Sequence, residues 1–186
     1  MSSVIIAGNT SGTITLDAPN VAGTTTLTLP TTSGTVITTG NIPTGSVLQV
    51  VSSITNTRTT SSSGSYVDTD LSASITPSSS SNKILVIVTY TLASDNTSYA
   101  AWSQLVRGST QIAQRTYYTA SANTYTSMSA SLSILDSPAT TSSTTYKMQI
   151  RTDGAGNISF NGPTTMSYAT GTPTNHSTIT LMEIKA

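Results

Sequence analysis

Apolar and hydroxyl-bearing residues trade places with period two through much of this chain. From 127 to 134, Met128, Ala130, Leu132 and Ile134 fall on one parity while Ser127, Ser129, Ser131 and Ser133 fall on the other. Successive side chains of a strand point to opposite faces, so the pattern predicts a strand with one side in a core and the other outside. The same criterion predicts strands over residues 46–56, 66–76, 83–93, 99–107, 110–119, 124–136, 145–152, 157–160 and 177–185. In the third of these, Ile84, Leu85, Val86, Ile87 and Val88 are apolar on both parities. That makes it a central strand, packed by a core on one face and covered on the other by this chain or a neighbour. Breakers separate the runs, among them Pro77, Gly108, Pro138 and the stretch from Asp153 to Asn157. Strands at this spacing predict an all-β chain folded as a jelly-roll-like antiparallel β-sandwich.

The first 45 residues have a different texture. Three short units, Gly12 to Pro19, Gly23 to Pro30 and Gly34 to Gly40, start 11 residues apart, and each runs Gly-Thr, then Thr alternating with Ile, Leu or Val, then a turn residue. Each unit reads as one short strand. Three such strands bury no core of their own, so the segment needs neighbours, plausibly copies of itself from other chains. The change of texture at Pro43 to Gly45 divides the chain into an N-terminal β-repeat segment, 1–45, and a β-sandwich domain, 46–186.

Composition sharpens this picture. The 186 residues include 39 Thr and 32 Ser but only 8% charged residues, 7 basic against 7 acidic, where an ordinary domain is about 25% charged. A neutral chain with modest apolar content and unpartnered repeat strands is stabilised by assembly, and an intertwined homotrimer satisfies all three conditions. Arg58, Arg107, Arg115 and Arg151 stand singly, which argues against a nucleic-acid partner. The four apolar residues Val4 to Ala7 are too few for membrane insertion or a signal peptide. With no Cys, neither disulfides nor cysteine-ligated metals are available.

The opening from Gly12 to Val51, together with Leu105 to Thr110, Asp136 to Arg151 and Ser177 to Ile184, resembles phage virion appendages, cyanophage tail-fibre proteins in particular. The resemblance implies a virion protein assembled in the host cytoplasm, usually trimeric. Its N-terminal β segment would dock on other virion proteins of capsid or tail, and its β domain would project outward as fibre, spike or capsid decoration, in reach of host cell-surface polysaccharide. It carries no catalytic motif. A free-standing carbohydrate-binding adhesin or lectin is the alternative.

Candidate chemistry is sparse. His176 is the single His, and in a Ser-rich chain a nearby Ser says little about a nucleophile, so surface or inter-chain hydrogen bonding is its expected role. Asp68 and Asp70 share one face of a strand, too few oxygens for a calcium site, and Asp153 to Asn157 reads as a Gly-rich turn. No enzyme activity, cofactor or metal site is expected. Tyr99, Trp102, Tyr117, Tyr118 and Tyr125 gather within 27 residues. Most are expected in the core or trimer interface, Trp102 included, because Ala100, Ala101 and Leu105 around it look buried. The residues predicted to contact a glycan, with ring faces for a sugar and amides for its hydroxyls, are Asn96, Tyr99, Asn123 and Tyr125.

Overall fold

The computed structural model describes residues 3–7, 10–17, 23–24, 26, 28, 31–94, 100–118, 126–153, 156–162 and 175–186. Among them are twelve strands and no helix. The chain divides into two compact units, Met1–Thr38 and Thr39–Ala186.

The first unit contains one antiparallel hairpin. β1 (Ser3–Ala7) pairs with β2 (Thr13–Asp17), in register from Ser3 opposite Asp17 to Ala7 opposite Thr13. Gly12, just before β2, has φ 81°, a left-handed conformation natural to glycine. The first repeat unit therefore forms a strand, but its partner is the apolar run before it and not a second repeat. The third unit corrects the prediction: residues 34–40 form no strand despite their alternation. A period-two pattern becomes a strand only when a ladder partner accepts its backbone groups. In the second unit, the described positions Gly23, Thr24, Thr26 and Thr28 also lie outside any strand.

The second unit is the sandwich. Its strands are β3 (Val47–Thr55), β4 (Thr59–Ser61), β5 (Val67–Ile75), β6 (Lys83–Ser94), β7 (Ala100–Arg107), β8 (Thr110–Tyr118), β9 (Thr126–Asp136), β10 (Thr144–Thr152), β11 (Ile158–Phe160) and β12 (Ser177–Ile184). One sheet runs β5-β10-β7-β8. The other runs β3-β12-β6, with β9 pairing β6 over Ile84–Ser94 and β11, itself paired with β4, holding the last residues of β6. The chain crosses between sheets from β3 to β5, back at β6, across for β7 and β8, back at β9, across at β10, and back to β12. With every pairing antiparallel, this is the jelly-roll winding. β4, Thr59-Thr60-Ser61, has no apolar alternation and was not legible beforehand.

The core follows parity. Leu71, Ile75, Val86, Val88, Leu105, Met148, Ile150, Ile179 and Leu181 are each at most 2% exposed and pack as one cluster. On β9, Ala130, Leu132 and Ile134 face this cluster while the alternating serines are exposed, as the pattern predicted. Two polar side chains inside are paired through several bonds each. Tyr90 stacks on Phe160 at 5.8 Å, and its hydroxyl bonds with Ser103 Oγ at 2.7 Å and the Tyr117 hydroxyl at 2.9 Å. Asn161 is fully buried with φ 63°. Its Nδ2 donates to the carbonyls of Thr55 and Thr57 at 3.1 Å each, and its Oδ1 accepts from Ser177 Oγ. That one side chain ties the ends of β3, β11 and β12. Outside, hydroxyls bridge strands, as between Thr89 and Thr178 at 2.7 Å and between Ser74 and Thr145 at 2.7 Å.

Candidate functional site

Asn96, Tyr99, Asn123 and Tyr125 lie outside the described residues. The other candidates are placed. His176 is exposed beside a groove of about 310 Å³ lined by Thr89, Tyr90, Thr91, Ser129, Ala130 and Ser131. Among the described residues, no carboxylate lines that groove, and its lining offers the imidazole hydroxyls. Asp68 is an ion-pair partner: Lys147 Nζ and Gln149 Nε2 each donate to it at 2.6 Å, and these bonds hold its carboxyl below the ordinary 3.8. Asp70 accepts from Thr55 Oγ1 at 3.0 Å, and Asp153 Oδ1 accepts from the backbone N–H of Ala100 at 2.7 Å. Among the described residues, no group of three His, Asp or Glu side chains converges as a metal site would require.

Two acids, one buried and one half-buried, brace the ends of the sandwich. Glu183 follows Ile179 and Leu181 on the inward parity of β12 and is 1% exposed. Its Oε1 accepts from Asn82 Nδ2 at 2.6 Å and from the backbone N–H and hydroxyl of Ser78 at 2.7 Å each, and its Oε2 accepts from Gln49 Nε2 at 2.6 Å. Burial raises this carboxyl's pKa, but the four donors outweigh burial and hold it at about 2. Elsewhere Asp136 accepts from Arg107 Nη1 at 2.6 Å and from the Tyr146 hydroxyl at 2.7 Å; burial, reinforced by Asp136, pushes that phenol upward. These acids are occupied in holding strands together. The sequence reading missed both: Arg107 lies 29 residues from Asp136, and Asn82, Ser78 and Gln49 lie 101, 105 and 134 residues from Glu183.

The outer faces of the two sheets differ. On the β3-β12-β6-β9 face, one cross-strand row consists of Val50, Met182, Leu85 and Leu135, flanked by Val47 and Ile184. Val47, Val50 and Leu135 are 52%, 56% and 51% exposed, so this row is apolar surface. It is the second face of the doubly apolar strand read from the sequence.

On the β5-β10-β7-β8 face, Thr116, Trp102 and Arg151 form one row, with Tyr66 just before β5 beside it. Gln114, Gln104, Gln149 and Asp68 form the next. Trp102 thus lies outside the core, correcting the expectation: Ala101 and Leu105 point inward, so the even-numbered residue between them points out. The Arg151 guanidinium carbon sits 4.3 Å from the Trp102 ring and 5.3 Å from the Tyr66 ring, a cation–π sandwich. Gln104 Nε2 donates to Gln149 Oε1 at 2.5 Å. Among the described residues, the buried side-chain polar atoms without a partner are Tyr66 Oη, Trp102 Nε1 and Gln104 Oε1, all on this face. Each such orphan costs about 1–3 kcal/mol.

No protein-family model and no curated protein matches the sequence. Solved structures similar in arrangement include the VP2 subviral particle of infectious bursal disease virus, at 12% identity and TM-score 0.36 over 74% of this chain and 38% of that one. They also include infectious bursal disease virus of the Gt strain, at 13% identity and TM-score 0.38 over 98% and 47%. The Gx strain aligns at 12% identity and TM-score 0.36 over 75% and 37%. The chain therefore spans less than half the length of each of these capsid-derived chains.

Proposed function

We propose that this chain is a structural protein of a virus particle, a bacteriophage tail-fibre, spike or capsid-decorating appendage, built as an intertwined homotrimer. It attaches through residues 1–45 to capsid or tail and projects the jelly roll outward, with Asn96, Tyr99, Asn123 and Tyr125 as contacts to host glycans. The observation that carries this reading is the lack of a core in the first unit. Among its residues with described side chains, every one is exposed, and they include Ile5 at 62%, Ile6 at 52%, Ile14 at 64%, Val36 at 71% and Ile37 at 62%. Apolar surface of this kind, on a two-stranded hairpin and on the strandless residues 34–40, has no stability by itself and is satisfied by burial against other chains. The apolar row on the outer sheet face, in a molecule of zero net charge, supports the same conclusion.

Sedimentation velocity of the full chain at micromolar concentration tests it. The expected result is a single trimeric species, and a folded monomer would refute it. Replacing both Ile6 and Ile14, which face each other in the hairpin, with Asp is expected to release folded monomers. Labelling of phage particles with an antibody to this chain should mark fixed positions on the virion.

A further inference from the structure

Arg151 is a charge on the four-stranded face without a counter-ion among the described residues. The ion pairs among the described residues join Arg107 to Asp136 and Lys147 to Asp68, and neither includes it. Its guanidinium is nonetheless held in place, with one ring at 4.3 Å and another at 5.3 Å, which leaves the N–H edge of the fork as its remaining recognition surface.

The neighbouring row has a fixed polarity. Asp68 is an acceptor at both oxygens, so Gln149 must turn its Nε2 toward Asp68 and its Oε1 toward Gln104. Gln104 must then present Nε2 to Gln149, and its own Oε1 is left without a donor although the residue is only 8% exposed. The face thus holds a planar cation that lacks an anion next to a carbonyl that lacks a donor, in adjacent rows of one sheet. Tyr66 Oη and Trp102 Nε1 complete the set of unpartnered groups.

We infer that this face of the jelly roll binds an acidic saccharide, with the sugar carboxylate on Arg151 and a sugar hydroxyl on Gln104 Oε1, which is closed to solvent here and meets the sugar only when the Gln104 side chain turns outward. A carboxylate matches the guanidinium fork in bidentate fashion, and the hydroxyls of the same ring supply what the amide row lacks. The proposal extends the receptor-contact part of the function above, but it moves the contact from those four residues to a sheet face within one chain. Its failure leaves the assembly test untouched, and a monomeric chain leaves it standing.

The chain's single Trp is Trp102 itself, so its fluorescence reports on the site directly. Full-length protein is titrated with tri-galacturonate and, separately, with sialyllactose, each beside a neutral counterpart, the galacturonate methyl ester or lactose. The expected result is a saturable change with at least one acidic sugar, with affinity at least about tenfold above its neutral counterpart. Which arm saturates identifies uronate or sialate as the source of the carboxylate. Arg151→Gln should lose the same factor and Arg151→Lys should fall between, because Lys keeps the charge without the fork. Gln104→Leu leaves the Arg151 sandwich intact and should weaken binding several-fold, with far-UV circular dichroism unchanged. Absence of saturation by both acidic sugars up to about 10 mM, equal binding of the neutral counterparts, or undiminished binding by Arg151→Gln would each overturn the proposal.

Discussion

Changing Glu183 to Gln keeps the shape of the side chain but removes its charge and turns one of its two acceptor atoms into a donor. Four donors converge on that carboxylate. Three meet Oε1 and would keep an acceptor, but each loses charge assistance, since a hydrogen bond to a charged group is worth about 1.5–3 kcal/mol against about 1 for a neutral pair. The fourth, Gln49 Nε2, would face an NH₂ group. Gln49 also donates through Nε2 to the Thr76 carbonyl at 2.8 Å, so flipping its amide to accept from the new donor strands Thr76. These losses amount to about 2–4 kcal/mol. The same four bonds, expressed as a folded-state pKa of about 2 against the ordinary 4.5, correspond to about 3 kcal/mol at 1.36 kcal/mol per pH unit.

The sign with pH follows from linkage. A carboxyl whose pKa is depressed on folding contributes stability that is fully present above the unfolded value of 4.5 and is lost as pH falls toward about 2. Urea unfolding of wild type and Glu183→Gln, followed by circular dichroism at matched protein concentration from pH 7 to pH 2, should show a gap of about 2–4 kcal/mol at pH 7 that narrows between pH 4.5 and 2. Asp68 titrates in the same acid range but is present in both proteins, so the difference isolates Glu183. A gap below about 0.5 kcal/mol at pH 7, or one that stays constant down to pH 2, would refute the reasoning.

Asn161→Ala is expected to cost at least about 3 kcal/mol in the same urea assay, because it orphans two carbonyls and Ser177 and places a Cβ-bearing residue without local hydrogen bonds at φ 63°. Asn161→Gly should recover about 1 kcal/mol of that loss through backbone freedom alone. Tyr90→Phe should destabilise by about 1–2 kcal/mol, since Ser103 and Tyr117 lose their shared hydroxyl while the stack on Phe160 survives. Deleting residues 1–45 should leave a cooperatively unfolding β domain that sediments as a smaller species than the full chain. Wholesale aggregation of the truncated chain would show that the segment belongs to the domain's core.

Strand positions in the sandwich were legible because burial on one face imposes period two directly on the residues. The Ser/Ala/Leu/Ile alternation of β9 and the unbroken apolar run of β6 both announced their places, one at a half-buried strand and one at the centre of its sheet. Alternation alone could not say whether a strand finds a partner, so residues 34–40 carry the pattern without the ladder, while Ser3–Ala7 supplies the partner that no repeat predicted. Nor could it say which parity faces inward where both look apolar or mixed. Trp102 seemed buried beside two alanines and a leucine, yet only the pairing with Arg151 across β10 shows it on the outer face. Glu183 and Asn161 reach partners more than a hundred residues away. A hydrogen bond senses distances of about 3 Å, and chain positions that far apart come within that range only after the winding of the jelly roll has brought them there.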